Sequence, residues 1–166
     1  MTGDIPTPLA LYTDTVRSEW IDYNGHLTDG YYMVYFCLAT EAVLEYLGFG
    51  AAYRERTGST IYTVEGHINY LRELKQGAPL RFTTQVLGCD PKRIHVFHSL
   101  HHGLENYLAA TNELMFLHVN QPTLKVEPMP AERLALVEAV VAAHSSLPRP
   151  PQAGRRIAMP ERTASL

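Results

Sequence analysis

The stretch Glu19-Trp20-Ile21-Asp22-Tyr23-Asn24-Gly25-His26-Leu27-Thr28-Asp29-Gly30 runs straight into an apolar segment, Tyr31 to Ala39, and the reading of that junction decides the fold. Asn24, Gly25, Asp29 and Gly30 are turn-formers. Asp22 and His26 are therefore expected in a loop between a strand-like approach and a helix, where polar groups are presented on a rigid frame. Thr28 or Asp29 is expected to cap the helix by accepting a hydrogen bond from a free backbone amide. Tyr31 to Ala39 is apolar on every face, which predicts a helix wrapped by other elements, and Glu41 and Glu45 open a polar stripe only beyond it. Gly48 suits the left-handed conformation that ends a helix, so the helix should stop near Leu47, at about 18 residues and roughly 27 Å. A sheet must curl around such a helix.

Outward from the helix, the chain supplies that sheet. Leu9 to Trp20 reads as a first strand, entered after Pro6 and Pro8. Ser59 to Arg72, Pro79 to Gly88, Arg93 to His102 and Glu105 to Val119 carry strand-like mixtures of Val, Ile, Thr, Phe and Tyr, separated by Gly- and Pro-containing turns. Ala51 to Arg56 reads as a short helical turn. Pro130 to His144 reads as a peripheral helix with Leu134, Val137 and Val141 on one stripe. One long helix followed by consecutive strands predicts an α+β domain with a largely antiparallel sheet. The domain is expected to span residues 1–144, with a proline- and arginine-rich tail, 145–166, too poor in apolar residues to fold on its own and expected to be extended or disordered.

Composition narrows the functional classes. A chain of 166 residues, 46% hydrophobic, can close one core. Its net charge of -3, with basic residues scattered, offers no footprint for nucleic acid. No run of about 18 apolar residues could span a membrane, and Met-Thr-Gly-Asp-Ile-Pro lacks the basic and apolar regions of a secretory signal. Cys37 and Cys89 form neither a Cys-x-x-Cys pair nor a disulfide framework, which suits reduced thiols and a cytoplasmic location. There is no Gly-x-Ser-x-Gly elbow and no nucleotide-binding glycine loop, and Cys37 falls inside the apolar helix, where a thiol is usually inert packing. Four of the eight histidines lie between His95 and His102. On a strand, however, His95 and His101 would share a face about 20 Å apart, and His98 and His102 the other face about 13 Å apart. No metal site is expected.

The Asp-Tyr-Asn-Gly-His spacing at 22–26, with Tyr31-Tyr32 opening the long helix, resembles the hotdog-fold acyl-CoA thioesterases of the 4-hydroxybenzoyl-CoA thioesterase type. The order of elements fits that family over roughly residues 9 to 120. Within it, the Glu19 to His26 loop looks like that of the betainyl-CoA thioesterases of carnitine breakdown. The resemblance implies a curved antiparallel sheet wrapped around a central helix, a homodimer or homotetramer with sites at subunit boundaries, and hydrolysis of a small acyl-CoA without any cofactor beyond the coenzyme A of the substrate.

Such a site can be sparse. The leaving thiol has a pKa near that of free Cys, about 8.5, and departs as thiolate with little help. The match of Asp22 to the acidic position of that family makes it the candidate for activating water as a general base, or for attacking directly as a nucleophile; on the residues alone an Asp at this place more commonly bonds turn amides. His26 is its candidate partner. The helix start at Asp29, Gly30 and Tyr31 would offer amides and a positive dipole end to the thioester oxygen. Trp20, Tyr23, Tyr32 and Glu65 are candidates for an acyl pocket, in which aromatic faces and a carboxylate would surround a quaternary ammonium. Glu65 sits in a strand that otherwise looks buried, and alternation places it on one face with His67 and Asn69. Arg72, Lys75, Lys92 and Arg93, near strand ends, are candidates for the coenzyme A phosphates. A hotdog dehydratase or hydratase and a non-catalytic acyl-CoA-binding module are the rival readings.

Overall fold

Alternating residues become strands of one curled antiparallel sheet. In the computed structural model, which describes residues 4–159, β1 (Leu9–Thr15), β2 (Ser59–Tyr70), β3 (Pro79–Cys89), β4 (Arg93–His102) and β5 (Leu108–Asn120) lie in the order β1-β3-β4-β5-β2, and the short β6 (Lys125–Val126) pairs with β5. Residues 1–3, where the expected absence of a leader begins, and 160–166, the end of the expected tail, lie outside the described residues. The central helix α1 (Asp29–Tyr46) occupies the concave side, followed by α2 (Ala51–Thr57). α3 (Ala131–His144) packs against β3 and adds Val137 and Val140 to the core.

That core is two clusters, not one. Val43 of α1 and Leu47, the residue that caps its C-terminus, meet Ile94, Val96, Leu114 and Phe116 in the first. Tyr32, Tyr35 and Phe36 meet Phe82 and Leu100 in the second. A polar band lies between them. His98, with no solvent exposure, is bonded through Nε2 to Thr40 of α1 (3.0 Å) and through Nδ1 to Thr84 of β3 (2.8 Å). Its neighbour across the β4–β5 ladder, Asn112, is also buried and reaches the Met33 sulfur at 3.6 Å. Burial pushes the imidazole of His98 down to about 3, so the ring is neutral and both threonines satisfy it.

Other histidines do similar work. His118 bonds the Tyr53 hydroxyl (2.8 Å) and donates from Nδ1 to the Glu127 carbonyl (3.1 Å). His144 accepts the Val86 amide (2.9 Å) and donates to the Pro6 carbonyl (3.0 Å), tying α3 to β3 and to the N-terminal segment. Each is a polar bolt in the fold.

Several expectations need correction. The first strand ends at Thr15, not Trp20, because Val16 turns inward and exchanges backbone bonds with Gly77 and Ala78; Ser18–Trp20 is a single 3-10 turn. The fifth strand starts at Leu108, after a turn in which Asn106 has φ of 60°. The central helix is not covered all round: Met33 and Val34 are exposed at 37% and 39%, and the Cys37 thiol is exposed too. Nor is β2 buried, since as an edge strand it exposes Tyr62 to Gly66.

The tail forms no helix or strand, yet it is held. Phe97, on the outer face of β4, is 1% exposed because Leu147, Pro148 and Pro150 lie beside it together with Pro8. Further along, the Gly154 amide donates to Glu113 Oε2 (2.7 Å), whose other oxygen meets His95 Nε2 (2.7 Å). Among the described residues, no single helix is long and apolar enough to cross a membrane.

Candidate active site

Asp22 begins a tight hairpin. Ile21 and Leu27 form an antiparallel bridge, the Asp22 amide donates to the His26 carbonyl (2.9 Å), and the Gly25 amide donates back to the Asp22 carbonyl (3.0 Å). The turn closes only because Gly25 holds φ at +80°, a conformation other residues adopt with strain. Asp22 Oδ1 accepts the Asn24 amide at 2.8 Å and, more weakly, the His26 amide at 3.4 Å. One carboxylate oxygen thus shapes the turn, and the other has no protein partner among the described residues.

The helix entrance is left open. Thr28 is the N-cap residue but accepts no capping bond, and of the two expected caps it is Asp29 that takes a backbone amide. Its hydroxyl and its amide both donate to the Trp20 carbonyl, each at 3.0 Å, because that carbonyl is freed where the 3-10 turn ends. Gly30 N–H is occupied by Asp29 Oδ1 (2.8 Å) and Tyr31 N–H by the Thr28 carbonyl (3.0 Å). Of the three amides expected to face a substrate, that of Asp29 alone has no partner among the described residues. It stands at the positive end of α1.

Asp22, Tyr23, His26, Thr28, Asp29, Tyr32 and Arg72 converge on one open pocket of about 760 Å³. Tyr70, Leu71 and Glu73, from the end of β2 and the segment after it, complete its wall. Tyr32 and Tyr70 meet edge to face, with ring centroids 5.3 Å apart. Burial pushes the Tyr32 phenol up to about 12 and raises that of Tyr70, so both stay neutral and offer rings and hydroxyls. Arg72 lies over Tyr107 with its guanidinium 3.8 Å from the ring centroid, and with Lys75 it lines the adjoining hollow.

Other candidates stand elsewhere in the single chain. Trp20 is used in packing: it stacks on Tyr31 (4.7 Å), meets Tyr35 edge-on (4.8 Å) and carries Arg17 on its face. Glu65 opens onto the outer sheet face near His67, His95 and Glu113. Lys92 and Arg93 sit at the β3–β4 hairpin, held by Asp90, at the opposite end of β4 and roughly 30 Å from the pocket.

Glu73 and Tyr70 were missed by sequence reasoning. Glu73 Oε1 lies 3.3 Å from His26 Nε2. The contact depends on a staple between distant segments, in which Leu27 N–H donates to the carbonyl of fully buried Leu74 (2.8 Å). No local pattern signals such a pairing. Only the apolar Leu74 inside a polar stretch hinted that the segment turns inward.

Residues 16–142 match the model of the thioesterase-like superfamily. The betainyl-CoA thioesterase of Pseudomonas aeruginosa is 40% identical over 152 residues, which is 92% of this chain and 96% of that protein. The L-carnitine dehydrogenase/betainyl-CoA thioesterase of Rhizobium meliloti is 40% identical over 93% of this chain, which corresponds to 31% of that longer protein. A Staphylococcus aureus protein solved in complex with CoA superposes with a TM-score of 0.86 at 30% identity, covering 95% of this chain and all of that one. With its sheet curled about α1 and this match over most of its length, the chain belongs to the thioesterase-like superfamily, as a hotdog-fold thioester hydrolase.

Proposed function

We propose that the protein hydrolyses an acyl-CoA whose acyl group carries a permanent positive charge, with betainyl-CoA as the substrate. The observation that carries this reading is the pocket wall. It combines the carboxylates of Asp22 and Asp29 with three tyrosines (Tyr23, Tyr32, Tyr70), while the Glu73 carboxylate lies against His26 and the Arg72 guanidinium is turned onto Tyr107. A trimethylammonium group is held over aromatic faces and favoured by nearby negative charge, whereas a carboxylated acyl group would be repelled. The names of the relatives support the same choice.

In this reading the Asp29 amide, backed by the α1 dipole, receives the thioester oxygen as it becomes an oxyanion. Asp22 acts through its unpartnered oxygen, either on water or on the carbonyl carbon, and the coenzyme A thiolate leaves unaided. Arg72 and Lys75, in the adjoining hollow, meet the coenzyme A phosphates. The free thiols of Cys37, exposed on α1, and of Cys89, half-buried in β3, support a cytoplasmic setting. A second copy of the chain covers the exposed face of α1 and the β2 edge, so that the working form is a homo-oligomer.

Thiol release from betainyl-CoA, followed with a thiol reagent, tests the reaction. Asp22→Asn retains an oxygen for the turn amides, so stability should stay within about 0.5 kcal/mol of wild type. Turnover should fall by about 100-fold or more as the base or nucleophile is lost. A variant with near-wild-type turnover would remove Asp22 from the chemistry. Tight binding without thiol release would mark a binding module, and double-bond hydration without thiol release a hydratase.

A further inference from the structure

We propose that Glu73 is a positioning residue for hydrolysis, whose carboxylate fixes the His26 imidazole beside Asp22. The inference rests on the reading of this pocket as the thioesterase site, and it adds a residue that neither the loop motif nor the helix entrance contains. Its first support is the contact itself, Glu73 Oε1 to His26 Nε2 at 3.3 Å, between two side chains that both line the pocket. Exposed ion pairs are often incidental, and Glu73 is 59% exposed at its side chain. What distinguishes this pair is the frame that holds both backbones.

On one side, Leu27, next to His26, is 4% exposed; on the other, Leu74, next to Glu73, is fully buried. The Leu27 amide donates to the Leu74 carbonyl (2.8 Å), and the Tyr107 hydroxyl donates to the Glu73 carbonyl (3.0 Å). The Glu73–His26 contact therefore closes a bridge whose backbone rungs are already built. His26 is meanwhile tethered to Asp22 by two backbone bonds, its carbonyl accepting the Asp22 amide and its amide reaching Asp22 Oδ1. His26 is thus held by Asp22 through its main chain and by Glu73 through its ring.

The chemical consequence follows from imidazole's two nitrogens. Rotation of the Glu73 side chain from this 3.3 Å contact lets Nε2–H donate to its carboxylate; Nδ1 is then the acceptor, and the ring cannot flip without breaking the pair. Nδ1 then accepts a hydrogen bond from the water that Asp22 directs at the thioester carbon. Glu73 touches neither water nor substrate in this scheme.

Steady-state kinetics of Glu73→Gln, His26→Ala and the double variant test the assignment, using betainyl-CoA and its uncharged isostere tert-butylacetyl-CoA. Loss of a residue that orients a functional imidazole typically costs about 10- to 100-fold in activity, so kcat of Glu73→Gln should fall by at least about tenfold on either ester. KM should change by less than about twofold, since a purely positioning group adds no ground-state binding. The double variant should be no slower than His26→Ala alone, because the two residues act as one unit. A rise in KM for betainyl-CoA alone, with kcat unchanged, would overturn the proposal and make Glu73 the counter-ion of the acyl cation. Fully additive losses in the double variant would overturn it too. Should betainyl-CoA not be hydrolysed while the isostere is, the substrate reading fails, and the kcat and double-variant comparisons on the isostere still decide the role of Glu73.

Discussion

A proton offered to His98 finds a ring with no exposure and two threonines already bonded to its nitrogens. The folded state holds this group near 3, while the unfolded chain releases it to its ordinary 6.5. Between those values the unfolded chain binds the extra proton. Stability is therefore undiminished above about pH 6.5 and is lost as pH falls through that window, at up to about 1.4 kcal/mol per pH unit. His98→Gln keeps polar atoms for both threonines and does not titrate. Urea unfolding from pH 7 to pH 4 should show a shallower fall for the variant than for wild type, and equal slopes would refute the assignment. Residue chemistry of this kind was not legible in the chain, because nothing local tells that Thr40 and Thr84 will meet His98 from another helix and another strand. Asp22 illustrates the converse. Its loop could be read directly from Asn24 and Gly25, because a turn is a local structure and needs no distant partner.

Among the elements, α1 carries most of the positional information. Its limits, Asp29 and Tyr46, fall within a residue or two of those expected, since Gly48 and the polar loop mark them in the chain itself. Which of its faces is covered was not readable, because apolar residues point at the sheet and at the surface alike. Met33, Val34 and Cys37 are exposed beside an edge strand that exposes Tyr62 and Val64. An apolar surface of this composition next to unpaired strand amides is expected to bind a second copy of the chain. Val34→Glu should shift sedimentation toward the monomer and, if the pocket is completed by the second copy, lower turnover in proportion. An unaltered oligomer would place the interface on another surface.

The whole molecule adds what neither residue nor element shows. The tail was expected to pack little, on the evidence of its prolines and arginines, yet composition does not register that Leu147 and Pro150 can cover a single outward-facing phenylalanine. Ending the chain after Ser145 would bare Phe97 on the outer sheet face. The loss should be about 2 kcal/mol, the usual value of burying such a side chain. Denaturant midpoints of the full and shortened chains measure it directly, and unchanged midpoints would mean that the tail is not needed to shield the ring.

The band formed by Thr40, Thr84, His98 and Asn112 also makes the interior modular. Side chains on its two sides share few neighbours, so each half can be repacked as though the other were a separate small protein. Ile94→Val on one side and Phe82→Leu on the other should have energetic effects that sum to within about 0.5 kcal/mol. Phe82→Leu combined with Leu100→Val, whose residues face each other across the β3–β4 ladder, should depart from that sum. The half that carries the Asp22 loop can therefore drift in sequence to suit a new acyl group while the other half keeps the fold standing.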